Sequence, residues 1–145
     1  MHKTLTKTIW IVVILLILVQ FIPVERTNPP VTGEISSRPA VRTIMETSCY
    51  DCHSNQTNWP WYAHIAPVSF FVAHDVQEGR EHLNFSEWES YPTEKQKNLI
   101  MEILEEVERG DMPLFMYTIM HSDAKLSEAE LDTLRKWAET DYGIK

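Results

Sequence analysis

Five residues, Cys49-Tyr50-Asp51-Cys52-His53, constrain this chain more than any other stretch. The two cysteines are the only ones among 145 residues, and a histidine follows the second directly. On one helical turn, thiols at this spacing project from neighbouring positions of one segment, with the imidazole one position further on. C-x-x-C-H is the attachment pattern of a c-type haem. Each thiol adds to one vinyl group of the porphyrin, and the histidine supplies a nitrogen to the iron. The motif therefore predicts haem c, covalent and one per chain, held by Cys49, Cys52 and His53.

Other uses of two cysteines ask for different surroundings. A thioredoxin-like pair wants a βαβ context, and no strand-helix-strand pattern surrounds the motif. Half of a zinc site wants two more ligands at comparable spacing. There is no second cysteine pair, and His64, His74 and His82 stand ten and eight apart. A disulfide across two intervening residues would close a very small loop.

The N-terminus bears on location. Residues 8–24, TIWIVVILLILVQFIPV, carry no charge. About 17 residues at a rise of 1.5 Å reach roughly 26 Å, just short of a hydrocarbon core of about 30 Å. Lys3 and Lys7 precede the run, which predicts a cytoplasmic N-terminus by the positive-inside rule. A cleaved signal peptide would have a shorter apolar core and a small-x-small site after it; here Gln20-Phe21-Ile22-Pro23-Val24-Glu25 follows. The expectation is an uncleaved single-span anchor over residues 1–24 in a bacterial inner (cytoplasmic) membrane, with the rest facing the periplasm or cell exterior.

The formal net charge is −8, and the part after the anchor carries 11 basic against 21 acidic side chains. That balance disfavours nucleic acid and anionic lipid as partners. It permits steering toward a basic patch on a redox protein.

Residues 25–39 are rich in Pro, Ser and Thr and read as a linker holding a domain off the membrane. Residues 40–145 suffice for one small core. Pro39 suits a first helical turn, and Val41, Ile44 and Met45 have helical spacing leading into Cys49. Pro67 predicts another start, with Val68, Phe71, Val72 and Val76 on one side and Gly79 at the end. Residues 93–109 form the clearest helix, with Leu99, Ile100, Ile103, Leu104 and Val107 as its stripe and Gly110 as its stop. Ser127 and Glu130 have capping-box spacing, and Leu126 and Leu131 that of a hydrophobic staple, for a last helix to about Thr140. No sheet is credible, so the fold class is all-α.

Function turns on the sixth iron position. Met112 lies in a non-helical stretch before Pro113, and its thioether would raise the reduction potential. Met116 and Met120 would share its face if that stretch were helical. His74 is the main rival, with a lower potential as the consequence. His64, His82 and His121 are weaker candidates. Arg80 could pair with a propionate, and Trp59, Trp61 and Tyr62 could wall the haem.

These residues resemble the haem-binding domain family, small exported bacterial proteins with one C-x-x-C-H. The resemblance runs through Cys49 to Ser54, Trp59-Pro60-Trp61-Tyr62 with Ile65-Ala66-Pro67, and His74-Asp75-Val76 with Gly79-Arg80. It continues through Leu83 to Ser86 with Trp88, then Met112-Pro113, Tyr117, His121 and Leu126-Ser127, covering about residues 40–140. Met112-Pro113 and the capped helix also resemble class I cytochromes c. The resemblance implies a mono-haem c-type cytochrome with His53 proximal and Met112 distal. The expected role is electron transfer without catalysis, to a redox protein such as a di-haem peroxidase or another cytochrome. The alternative is a haem-based sensor or peroxidase-like protein, with an open sixth site and His74 or His121 as distal hydrogen-bonding group.

Overall fold

The computed structural model describes residues 2–144 and is helical, with no strand among the described residues. The helices are α1 (His2–Leu18), α2 (Pro39–Ser48), α3 (Tyr50–His53), α4 (Val68–His82), α5 (Thr93–Arg109), α6 (Phe115–Met120) and α7 (Glu128–Trp137). Short 3-10 turns punctuate the connections.

Helix α1 starts earlier than the uncharged run and is prolonged by one tight turn to Phe21, so that Ile22 to Val24 lie beyond it. The span Lys3–Phe21 has a mean hydropathy of 2.1, and none of it is buried against the rest of the chain. A helix apolar on every face and unburied is compatible with a membrane anchor or a signal sequence.

The core forms where α2, α5 and α7 meet. Helix α7 packs against both others, and Val41, Met45, Ile100, Leu134 and Trp137 are almost wholly buried there. Phe85 and Trp88, from the tight turn at Phe85–Ser90, close the cluster. Ser127 and Glu130 make both bonds of a capping box, and Leu126 and Leu131 lie half-buried against the core. Ser127→Ala should cost about 1 kcal/mol, read as a lower chemical-denaturation midpoint. An unchanged midpoint would mean that packing alone starts the helix. The chain runs past Thr140 in a wider π turn to Tyr142 and reverses at Gly143, whose φ is 70°.

Two sequence expectations change. Residues 25–39 are irregular but lie along the domain rather than apart from it. Ile35 is fully buried, its N–H donates to the Phe85 carbonyl at 2.9 Å, and Thr32 and Gly33 both donate to the Ser86 carbonyl at 3.0 Å. One apolar side chain and the strap's amides dock it here, and the Asn55 side chain adds a bond to the Pro30 carbonyl at 2.9 Å. Helix α4 also runs through Gly79 to His82 instead of stopping there. Its buried positions are Ser69, Val76 and Gly79, while Val68 and Phe71 are exposed. Gly79 answers a tertiary demand, because a Cβ there would sit 2.7 Å from the Cys52 carbonyl oxygen.

Candidate haem site

The motif lies at a break between helices. The backbone at Cys49 leaves α2 at φ −126° and re-enters a single turn, α3. Helix α3 crosses α4 at Gly79, where the missing side chain lets the two backbones meet. This approach places His53 against the last turn of α4. Its Nδ1 is 3.0 Å from the Gly79 carbonyl and 3.2 Å from that of Leu83. Both neighbours only accept, so Nδ1 carries the proton and Nε2 keeps its lone pair. Burial lowers the His53 pKa, outweighing the two carbonyls that raise it. The neutral, metal-competent imidazole is thus the resting form. Second partners of this kind orient ligating histidines at metal sites generally.

The loop after the motif is equally constrained. Ser54 donates to the Tyr50 carbonyl at 2.7 Å. The Asn55 N–H donates to Ser86 Oγ, and its Oδ1 accepts from Asn84, each at 2.9 Å. Arg80 binds four acceptors: the carbonyls of Ser54 and Thr27, Asn28 Oδ1 and Thr57 Oγ1. Its guanidinium ties the 25–39 strap to the motif loop, a structural role where the sequence suggested either a solvated surface arginine or a propionate contact.

His53, Cys49 and Cys52 share the wall of an open, mainly apolar cavity of about 630 Å³. Met112, His74 and Phe85 also line it. The volume is within the usual range for cofactor pockets. Burial pushes the Cys49 thiol up to about 12, with Cys52 adding to the effect. Burial also pushes the Cys52 thiol up to about 12, helped by the carboxylates of Asp51 and Asp75. Thiols held so strongly protonated are poor candidates for disulfide exchange, which needs the thiolate. Among the described residues no group of three or more His, Cys, Asp or Glu stands ready to hold a metal ion. The donor set of one oriented imidazole, two thiols and an apolar cavity fits a haem.

Met112 reaches the wall through the end of α5. Gly110, at φ 74°, reverses the chain, and the N–H groups of Asp111 and Met112 both donate back to the Glu106 carbonyl, at 3.0 and 3.2 Å. Met112 is half-buried against the core, whereas His74 is exposed on α4. Met116 and Met120 are also exposed and do not line the cavity. They lie within α6, whereas Met112 precedes it, so the three share no helical face.

Trp59, Trp61 and Tyr62 do not wall the cavity. The Tyr62 hydroxyl instead meets His121 Nε2 at 2.8 Å, which occupies that histidine away from the cavity. His64 is absent from the lining, while His82 is present but faces Glu102 at 3.1 Å.

The sequence reading missed the α5 side of the cavity. Leu99, Ile103 and Val107, four apart, line it, while Ile100 is wholly buried in the core. The spacing was visible, but a stripe wide enough to serve two surfaces looks like one core face. Tyr117 was not assigned a role either. It lines the cavity and donates to Asp51 Oδ2 at 2.8 Å, tying α6 to the motif.

A family model described as a haem-binding domain matches residues 14–140. No curated protein and no solved structure matched the chain.

Proposed function

The chain belongs to the haem-binding domain family, and from that premise we propose that it is a membrane-anchored mono-haem c-type cytochrome transferring electrons on the periplasmic side. The observation that carries the reading is the shared cavity wall: two thiols, an imidazole with Nε2 free to ligate, and the Met112 thioether. Cys49 and Cys52 would hold the porphyrin as thioethers, in a cytochrome c-like arrangement. His53 would be the proximal ligand and Met112 the distal one. Bound haem supplies a one-electron couple at its iron. Met112 would favour the ferrous state and raise the potential. Asp75, Glu78, Glu102 and Glu106 at the cavity favour the ferric state and oppose that shift. Their carboxylates would also steer a basic redox partner toward the site. The apolar helix α1 would be the anchor.

The oxidised protein, purified after expression with the attachment machinery, should show low-spin iron and a far-red methionine-to-iron charge-transfer band. High-spin iron would sink the electron-carrier reading. His74 on the same wall favours one second reading, a sensor or peroxidase-like protein with a displaceable sixth ligand. Carbon monoxide binding to the reduced protein, without prior ligand loss, would select it.

A further inference from the structure

Charged residues make up 23% of the chain, yet two long tracts, 8–24 and 52–74, contain no Asp, Glu, Lys or Arg. The structure brings these tracts together. At the end of the apolar helix, Gln20 Nε2 donates to the Ala66 carbonyl and Gln20 Oε1 accepts from the Ala66 N–H, each at 2.9 Å. Arg26 reaches the Ala63 carbonyl at 3.3 Å. A reciprocal amide pair of this kind docks the domain directly on the end of the span.

Close to that clip lie four large apolar side chains that the fold leaves uncovered: Trp61, Ile65, Val68 and Phe71, each between 43% and 69% exposed. Val68 and Phe71 are three apart on α4 and share a face. Helix α4 begins at Val68, so Val68 to Phe71 is about 4.5 Å of helical rise, within the roughly 5–8 Å of headgroup region on each side of a bilayer. Four exposed apolar side chains that include Trp and Phe, in a tract without Asp, Glu, Lys or Arg, match the composition of membrane-water interfaces.

We propose that this face, formed by residues 61–71, lies in the lipid interface and sets the tilt of the haem domain on the membrane. It would hold α4, and so the cavity wall that includes His74, at a fixed height above the bilayer. The inference rests on α1 being a membrane span.

The test uses the full haem-loaded chain in phosphatidylcholine nanodiscs carrying a phosphatidylcholine with a diazirine at the top of its acyl chain. Lipid adducts are mapped by mass spectrometry after illumination. Adducts are expected in both 8–24 and 59–74. The double variant Trp61→Asp/Phe71→Asp should lose about tenfold of the adducts in 59–74, since carboxylates in the interface oppose insertion. Its adducts in 8–24 and its haem spectrum should be unchanged. Adducts in 8–24 alone would overturn the inference and leave the anchor standing, and adducts in neither tract would overturn both. Cross-links from 61–71 to a second copy in place of lipid would make the face a protein contact and also overturn it.

Discussion

Gly79→Ala is expected to destabilise the domain by about 2 kcal/mol and to reduce haem retention. Two effects oppose each other. Alanine gains about 1 kcal/mol over glycine within a helix. Against this, the new Cβ would stand 2.7 Å from the Cys52 carbonyl oxygen, 3.2 Å from its carbon and 3.3 Å from its Cβ. Two of those three atoms are backbone, so no rotamer change relieves the clash, and overpacking typically costs 1–3 kcal/mol or more. Parting α3 from α4 would also lengthen the bonds from His53 Nδ1 to the Gly79 and Leu83 carbonyls. The damage therefore reaches His53, the proposed proximal ligand. Denaturation midpoints and haem content per purified chain measure it. A variant as stable as the parent, with full haem content, would show that the two helices separate freely and that the close approach is incidental.

Met112→Ala should abolish the far-red band, convert the iron to high spin and lower the reduction potential. The shift would be a sizeable part of the roughly 0.8 V that axial ligation spans. His74→Ala should leave all three unchanged. Both residues line the cavity, so proximity does not separate them. Their surroundings do. Met112 is packed half-buried against the core and tied by its amide to the Glu106 carbonyl, so its thioether is ordered before any ligand arrives. His74 is exposed on α4 and would lose solvation and side-chain freedom on ligating. Absorption and redox titration of the two variants side by side decide the matter. Loss of low-spin character in His74→Ala alone would assign a bis-histidine site and the lower potential that goes with it.

Helices with complete local signals were legible from the residues. Residues 93–109 carry a helical apolar period and a terminal glycine, and 127–131 carry a capping box, so each announces its own ends. The motif Cys49 to His53 was equally plain, because its whole signal lies within five consecutive residues. Gly79 was misread, since a glycine that ends a helix and one that admits another backbone look identical in a sequence. The tryptophan-rich stretch at 59–62 could be read either as a cofactor wall or as packing, and the fold turns it away from the cavity. Arg80 read as a solvated surface arginine or a propionate partner, whereas four carbonyl, amide and hydroxyl oxygens within the protein hold it, all from residues distant in the chain.

By themselves, the residues determined the helical class and pointed to haem as the cofactor, because propensity, capping and motif spacing act over a few neighbouring positions. Only the tertiary structure decided which atoms orient His53, which face of α5 borders the cavity, and that residues 27–35 are strapped to the domain. Each of these depends on groups that are 25 or more residues apart in the chain and meet only after the core has closed.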